Sequence, residues 1–153
     1  MSNPAVETFW QAFLKDTGRP ADTKYYSSFY FDLTEKWANA LLELVLSGKK
    51  RATASALPAL QADGQPLPQV GDLSIVTDFV GTPRCVIETT AVTILPFREM
   101  TYEICSREGE DDSLESWQEG HIRFFSEEGK NLGFEFSWDM PVVFEDFEVV
   151  YAP

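Results

Sequence analysis

The chain has 153 residues, of which 44% are hydrophobic and 14% aromatic, and its formal net charge is −13. This composition is typical of a globular domain and excludes a disordered chain, and no apolar stretch approaches the ~20 residues of a membrane-spanning helix. The acidic balance argues against an extended duplex nucleic acid as partner, because a basic stripe is the usual footprint of phosphate binding. A compact ligand held by a local basic pocket remains compatible with it.

The N-terminal segment lacks a basic stretch followed by an apolar block, so we expect no signal peptide and a cytoplasmic protein. Cys85 and Cys105 do not have the spacing of metal ligands, and in a cytoplasmic protein we expect reduced structural thiols. The sequence contains no repeat, low-complexity tract or linker. We therefore predict one domain over residues 1–153.

Apolar residues at helical spacing predict a first helix that ends before Gly18 and a second that starts near residue 34 and ends at Gly48. The segment between them, residues 19–31, is irregular and rich in aromatic side chains. Such a segment usually anchors a loop on the core. The alternative is an aromatic lip that includes Tyr30 and offers a surface on which a nucleobase stacks.

Alternating apolar and polar residues predict strands over residues 73–79 and 84–95, and the turn between them indicates a hairpin. A helix over 114–128, ending at Gly129, follows, and two further strands are predicted over 134–138 and 142–151. These elements indicate an α+β domain whose antiparallel strands close as a small barrel with helices packed outside it.

The joint between the second helix and the next β-like run concentrates basic and hydroxyl residues: Lys49, Lys50, Arg51, Thr53 and Ser55. Cations at the carbonyl end of a helix are favourable because of the helix dipole. That accounts for one or two cations, but less well for three that are followed by two hydroxyl groups. The joint is therefore a candidate binding corner.

The spacing of Lys50 and Thr53 leaves their geometry open, because a three-residue separation places side chains on opposite faces of a strand but together on a helical turn. If they meet in a partly dry pocket, a neutral Lys50 amine accepts the Thr53 proton and makes the hydroxyl a nucleophile. Glu108 would then orient the amine or protonate the leaving group.

Residues 108–112 form the densest acidic cluster of the chain. Most such clusters are solvated turns. The functional alternative is that Lys49, Lys50 and Arg51 grip a phosphodiester while the acidic loop holds Mg²⁺. A third possibility is binding alone, with phosphate on the cations and a base stacked on an aromatic side chain such as Tyr30 or Trp117.

His121 is the only histidine and follows Trp117 by one helical turn. A lone histidine on an apolar helix face is more often a hydrogen-bonded core or rim residue than a catalyst.

Residues 48–53, Gly-Lys-Lys-Arg-Ala-Thr, match the G-x-K-x-x-T motif of the ASCH domain family, and the helix over residues 37–46 precedes the motif in the expected place. Residues 108–111, followed by Trp117 and His121, resemble a bacterial branch that carries an E-G-E-G-D element. The chain departs from that element where Asp111 and Asp112 replace Gly-Asp.

This resemblance implies a PUA-like small β-barrel of antiparallel or mixed strands, flanking helices and a cleft between them, with residues 1–153 as a single ASCH domain. The family is associated with RNA. Some bacterial members are divalent-metal-dependent ribonucleases that act on single strands, and a smaller relative is an N4-acetylcytidine amidohydrolase with a Thr, Lys and Glu set. By motif, these map to Thr53, Lys50 and Glu108, with Glu110 as a competing choice.

We therefore expect an RNA- or nucleotide-binding protein that hydrolyses single-stranded RNA as a divalent-metal-dependent ribonuclease. The alternatives are an amidohydrolase that uses Thr53, Lys50 and Glu108, or a non-catalytic RNA-binding regulator. The expected partner is single-stranded RNA or a modified nucleoside and not a membrane, and the expected cofactor is Mg²⁺ or Mn²⁺ with no organic cofactor. The remaining expected site residues are substrate-binding Lys49, Arg51, Ser55, Tyr30, Trp117 and His121, and metal-binding Glu110 and Asp111.

Overall fold

A computed structural model describes residues 3–153. Its helices are α1 (Pro4–Thr17), α2 (Glu35–Leu46), α3 (Leu57–Ala62), α4 (Tyr102–Cys105) and α5 (Leu114–Leu132). Its strands are β1 (Ser27–Phe29), β2 (Ala52–Ala56), β3 (Leu73–Thr77), β4 (Pro83–Pro96) and β5 (Pro141–Tyr151). Short 3₁₀ turns, Phe97–Glu99 and Ser106–Glu108, flank α4.

Over residues 3–153 the strands form one mixed five-stranded sheet in the order β1-β3-β4-β5-β2. The β1–β3 pairing is parallel and the other three pairings are antiparallel. The sheet curls into a half-barrel with helices around it, so the predicted α+β fold is confirmed. Within the same residues, no helix has the length and apolar composition needed to cross a membrane.

The helix boundaries follow from side-chain caps. Asn3 accepts a hydrogen bond of 2.9 Å from the Ala5 amide at the start of α1, and Thr34 and Ser113 cap α2 and α5 in the same way. These caps satisfy amide groups that the first helical turn leaves without a partner. The cap of α2 is thus Thr34.

Three apolar layers hold the helices against the sheet. α1 covers one face of β3 and β4, where Trp10 of the helix and Ile75 of β3 belong to the same apolar layer. α2 covers the opposite face of these strands, where Leu42 packs near Phe147 of β5. α5 and α3 pack on the other face of β5 and β2, around Trp117, Phe97 and Phe144. The long strands β4 and β5 therefore carry side chains into every layer.

The strand predicted over residues 134–138 is wrong. α5 continues past Gly129 to Leu132, and residues 134–138 are irregular. The alternating aromatic pattern arises because Phe136 and Trp138 both pack against the Phe97 ring, at centroid distances of 4.8 and 5.2 Å. The predicted hairpin of β3 and β4 is confirmed.

Pairing of β4 with β5 is interrupted by a register shift between Thr89 and Ala91. A β-bulge of this kind bends a strand and increases its twist. Here it lies beside Glu145 and Asp146 of β5, which are opposite Val92 and Ala91. The bend therefore occurs next to the two acidic residues of β5 that interrupt its apolar run.

Candidate functional site

The Lys50 side chain is turned into the protein, and the residue is only 2% exposed. Its backbone continues from the end of α2, where the amide groups of Lys49 and Lys50 both donate to the Leu44 carbonyl oxygen at 3.0 Å. These two hydrogen bonds end the helix and place Lys50 two residues before the start of β2. A buried ammonium is expensive to desolvate unless acceptors surround it.

The Lys50 ammonium group has three acceptors in the part of the chain that the structure describes. Its Nζ donates to the Ala52 carbonyl oxygen at 2.8 Å and directly to Glu110, and it lies 3.6 Å from Glu108 Oε1. The ring of Phe31 closes the remaining side, with its centroid 5.0 Å from Nζ. The ammonium group is therefore held by two hydrogen bonds, to Ala52 and Glu110, and by an ion pair with Glu108, with an aromatic face alongside.

Glu108 is also 2% exposed, and both of its oxygens are engaged. Oε2 accepts a 2.6 Å hydrogen bond from the Trp117 indole, while Oε1 faces Lys50 and lies 3.4 Å from His121 Nε2. Burial raises the pKa of Glu108, but the charges of His121 and Lys50 and the hydrogen bonds from His121 and Trp117 lower it to about 2. Glu108 is therefore a fixed anion.

His121 has acceptors at both ring nitrogens. Nδ1 lies 2.9 Å from the Trp117 carbonyl oxygen and Nε2 faces the ionised Glu108. Because neither acceptor can donate a proton, the contacts favour the imidazolium form. Burial lowers the pKa of His121, but Glu108 and Glu110 together with these contacts raise it above its ordinary value.

Glu110 is the accessible carboxylate of the site, with a side chain that is 21% exposed. Burial raises the pKa of its carboxyl group, and the neighbouring Glu108 charge adds to this effect, so that the pKa lies above its ordinary value despite Lys50. A carboxyl group with this property can exchange a proton closer to neutral pH than a free glutamate.

The acidic loop is held close to the Lys49–Arg51 segment by its backbone. The Arg51 amide donates to the Arg107 carbonyl oxygen at 3.1 Å. Gly109 has φ of 71°, and a methyl group at this position would overlap the Lys49 carbonyl group. Arg107 Nη1 lies 2.7 Å from Asp146 of β5 and fixes the other side of the loop. Glycine is therefore required between the two glutamates by both conformation and space.

Thr53 and Ser55 lie on β2, so of the two geometries that the sequence left open, the structure adopts that of a strand. Alternation places them on the face opposite Ala52 and Ala54, which pack toward α5. In the described residues, the Thr53 hydroxyl is not among the partners of the Lys50 ammonium. Thr53 instead lies directly opposite Glu145 in the β2–β5 pairing.

Glu145 belongs to a polar cluster that the sequence analysis did not identify. Its Oε2 accepts a 3.3 Å hydrogen bond from the buried Thr89 hydroxyl. Burial, followed by the repulsion of Glu145 and Asp72, raises the pKa of the nearby Tyr26 to about 12. The available sequence signal was that Glu145 and Asp146 interrupt a run of apolar residues in the predicted last strand.

The remaining predicted substrate-binding residues differ in their exposure to solvent. Lys49 and Arg51 are exposed beside the buried Lys50. Tyr30 is 41% exposed, packs on Phe79 at 5.1 Å, and lines a separate cavity of about 450 Å³. Trp117 is 0% exposed, so its predicted direct contact with a substrate is wrong; its ring stacks on His121 at 4.1 Å inside the core.

The acidic loop does not fit the predicted divalent cation. Glu110 faces the Lys50 ammonium, and Asp111 Oδ1 accepts a 2.7 Å hydrogen bond from Ser116. Across residues 3–153, no group of three or more His, Cys, Asp or Glu side chains is arranged to hold a metal ion. The oxygen-rich ligand set that Mg²⁺ or Mn²⁺ prefers is therefore not assembled by these side chains.

Comparisons with known proteins agree with this fold. The profile of the ASCH domain matches residues 27–151. An ASCH domain of Lactobacillus crispatus is 39% identical, with 97% of this chain and 96% of that chain covered and a TM-score of 0.86. A protein of Enterococcus faecalis is 35% identical over 95% and 88% of the two chains, with a TM-score of 0.87.

A more distant neighbour, a single-residue variant of an ASCH protein from Zymomonas mobilis, is 11% identical over 84% of this chain and 75% of that chain. Its TM-score of 0.51 shows a shared fold alone. No curated protein matches the chain.

Proposed function

The chain belongs to the ASCH domain family, whose members generally bind RNA, and from this we propose that it hydrolyses an amide bond on a modified nucleoside, free or within single-stranded RNA, without a metal ion. N4-acetylcytidine is the substrate that we propose to test first, because the Lys50, Thr53 and glutamate set resembles that of the amidohydrolases in this family.

The observation that carries this proposal is the buried Lys50 ammonium between Glu108 and Glu110. The two carboxylates contact the same cation but differ in their surroundings. One of them can therefore stay ionised while the other exchanges a proton. The fixed charge is Glu108, which four neighbouring interactions hold in its ionised form. The proton-exchanging group is Glu110, which is partly exposed.

In the proposed reaction, Glu110 protonates the departing amine, and the Lys50 ammonium orients Glu110. Thr53 is the proposed nucleophile because it is the half-buried hydroxyl closest in sequence to Lys50 on the same joint. Glu108 holds Lys50 and His121 in place and does not itself react. The glutamate role that the sequence assigned to Glu108 is thus proposed for Glu110.

The exposed cations at the joint support binding of the phosphate groups of a strand that carries the nucleoside. Lys49 and Arg51 are exposed next to the Lys50 site although the chain as a whole is acidic. Arg and Lys contacts of this kind position a nucleic-acid backbone without reading its sequence. Tyr30 offers an exposed aromatic face for stacking, but at a separate cavity.

The experiment compares N4-acetylcytidine and single-stranded RNA as substrates, with and without a chelator. We expect release of acetate from acetylcytidine that the chelator does not reduce, with Thr53→Ala and Glu110→Gln each losing roughly 100-fold or more in kcat/KM. Thr53→Ser is the matched variant that retains a hydroxyl and part of the rate.

Two results would contradict the proposal: a rate that requires a divalent cation, or a Thr53→Ala variant as active as the wild type. The divalent-metal-dependent ribonuclease activity expected from the sequence stays a prediction, and cleavage of RNA that the chelator abolishes would establish it.

A further inference from the structure

We propose that Glu145 is the proton acceptor for the Thr53 hydroxyl, a role that rests on the hydrolysis proposed above. The proposed base therefore lies on β5, and the nucleophile lies on the neighbouring strand β2. It replaces the base role that the sequence suggested for Lys50.

The strand register places the two side chains side by side. Thr53 and Glu145 are direct partners in the antiparallel pairing of β2 and β5. Direct partners share one face of a sheet, with Cβ atoms about 4.5–5.5 Å apart. A hydroxyl and a carboxylate at that separation reach hydrogen-bond distance by side-chain rotation alone. Both residues are half-buried, so the pair is reachable by a ligand.

The same face connects this pair to the Lys50 site. Alternation along β5 places Phe147 on the face of Glu145. Phe147 packs in the apolar layer that contains Phe31, and the Phe31 ring lies 5.0 Å from the Lys50 Nζ. Phe31 therefore lies in the apolar layer on the face of the Thr53–Glu145 pair and also contacts the Lys50 ammonium group.

The surroundings of Glu145 contain hydroxyl and acidic groups and lack a cation. The Thr89 hydroxyl donates to its carboxylate, and the groups that face it from the ends of neighbouring strands are Tyr26 and Asp72. In residues 3–153, no ion pair involves Glu145. Burial, opposed by the Thr89 hydrogen bond and assisted by Asp72, raises the pKa of Glu145 to about 7. A base of that strength suits proton transfer at neutral pH.

Lys50 is poorly placed for the same task. A base needs a free lone pair directed at the hydroxyl proton, whereas the Lys50 ammonium donates to Ala52 and Glu110 and forms an ion pair with Glu108. An ammonium cannot accept a further proton, and losing one would remove the cation that lies between buried Glu108 and Glu110.

The proposed step is balanced as an acyl transfer. Thr53 Oγ forms a bond to the amide carbon while its proton passes to the Glu145 carboxylate. The C–N bond then breaks, and the leaving nitrogen receives a proton from Glu110. Water then attacks the ester on Thr53 and gives a proton to Glu110, which is now the ionised carboxylate, while protonated Glu145 returns its proton to the departing Thr53 oxygen and the acid is released. The Thr53 hydroxyl regains a proton, and each carboxyl group returns to its starting state.

The test compares Glu145→Gln and Glu145→Asp with two controls. Glu148→Gln changes an exposed residue on the same strand, and Glu128→Gln changes another carboxyl group whose pKa burial raises to about 7, but on α5. We expect Glu145→Gln to lose roughly 10²–10⁴-fold in kcat/KM with KM unchanged and without the rise in rate around pH 7. Glu145→Asp should recover part of that loss, and both controls should keep the wild-type profile.

Acylation by p-nitrophenyl acetate provides a readout that does not depend on the nucleoside substrate. We expect one acetyl group on Thr53 in the wild type, detected by peptide mass spectrometry, and none in Glu145→Gln or Thr53→Ala. If acetylcytidine is not hydrolysed but Thr53 is acylated in this Glu145-dependent way, the proposed function fails and the Thr53–Glu145 pair stands. A wild type without Thr53 acylation, or a Glu145→Gln variant with the wild-type pH profile, would overturn the Glu145 assignment.

Discussion

The indole N–H of Trp117 donates a 2.6 Å hydrogen bond to Glu108, and both residues are almost wholly buried. This contact ties the acidic loop to α5, because Trp117 lies within the first turn of that helix. The carboxylate is thereby oriented before any ligand arrives, as required of a group that holds others in place. Its neighbour two residues later, Glu110, remains partly exposed.

The two glutamates should respond differently to the same substitution. Glu108→Gln removes the anion between Lys50 and His121, and breaking a buried ion pair in this way lowers the free energy of unfolding by about 3 kcal/mol or more. Glu110→Gln should change it by roughly 1 kcal/mol at most, yet lower kcat/KM by roughly 100-fold or more. Urea unfolding and acetate release measure the two effects. Equal losses of stability in the two variants would contradict this division of roles.

Gly109 should not tolerate alanine. Its φ of 71° is unfavourable for alanine, and the methyl group would overlap the Lys49 carbonyl group. We expect Gly109→Ala to lose about 2 kcal/mol of stability and to disturb the contact between Lys50 and Glu110.

Gly120 provides the matched control, since it lies within α5 and a methyl group added there would meet open space. Gly120→Ala should raise the free energy of unfolding by about 0.5–1 kcal/mol, the helix-propensity difference. Thermal unfolding of both variants tests the pair, and a Gly109→Ala variant as stable as the wild type would show that the loop relaxes.

The buried ions predict a bell-shaped dependence of stability on pH. Glu108 has a folded-state pKa of about 2, below its ordinary value of 4.5, so its contribution is present above pH 4.5 and is lost as pH falls toward 2. His121 has a raised pKa, so its contribution is complete below pH 6.5 and is lost as pH rises through the folded-state value. Urea unfolding of the wild type and His121→Phe from acidic to mildly alkaline pH checks both limbs. The variant should lack the loss of stability above pH 6.5 that His121 contributes, while the loss that Glu145 and Glu128 contribute between pH 4.5 and 7 remains. Identical profiles would contradict the prediction.

Glu145 should make the protein less stable as pH rises. Its pKa is raised to about 7 from 4.5, so the folded state favours the neutral carboxyl group and stability falls between these two values. Glu145→Gln should therefore match the wild type near pH 4 and exceed it by roughly 1–3 kcal/mol at pH 8. Glu128→Gln should show the same gain without any effect on activity. A Glu145→Gln variant that is less stable than the wild type at pH 8 would contradict the raised pKa.

The exposed cations should govern RNA affinity through charge alone. Replacing Lys49 and Arg51 together by alanine should weaken binding of single-stranded RNA about equally for different sequences and reduce the salt slope by about two phosphate contacts. Lys130→Ala, on α5 with a side chain that is 76% exposed, is the control and should bind as the wild type. Fluorescence anisotropy at several salt concentrations measures the slope, and an unchanged slope in the double variant would exclude these residues from the interface.

The parts of the fold that local patterns determine were predictable from the sequence. The helix over 35–46 and the β3–β4 hairpin follow from apolar periodicity and turn residues. The strand predicted over residues 134–138 was wrong because their alternation reflects packing on Phe97, which is distant in the chain. The motif identified Lys50 and the acidic loop, but the roles of Glu108 and Glu110 depend on burial. The position of Glu145 next to Thr53 depends on the register of β2 and β5, which no single segment of the sequence specifies.

The Lys50–Glu110 contact joins residues that are 60 positions apart. It forms only when the Ser106–Glu108 turn packs against the start of β2, where the Arg51 amide donates a backbone hydrogen bond to the Arg107 carbonyl oxygen. Detachment of this short segment would separate Glu110 from Lys50, while the hydrogen bonds between the strands of the sheet would remain. Amide exchange at Arg51 therefore reports the opening free energy of the site separately from global unfolding. A ligand that bridges both segments would slow this exchange in proportion to its affinity.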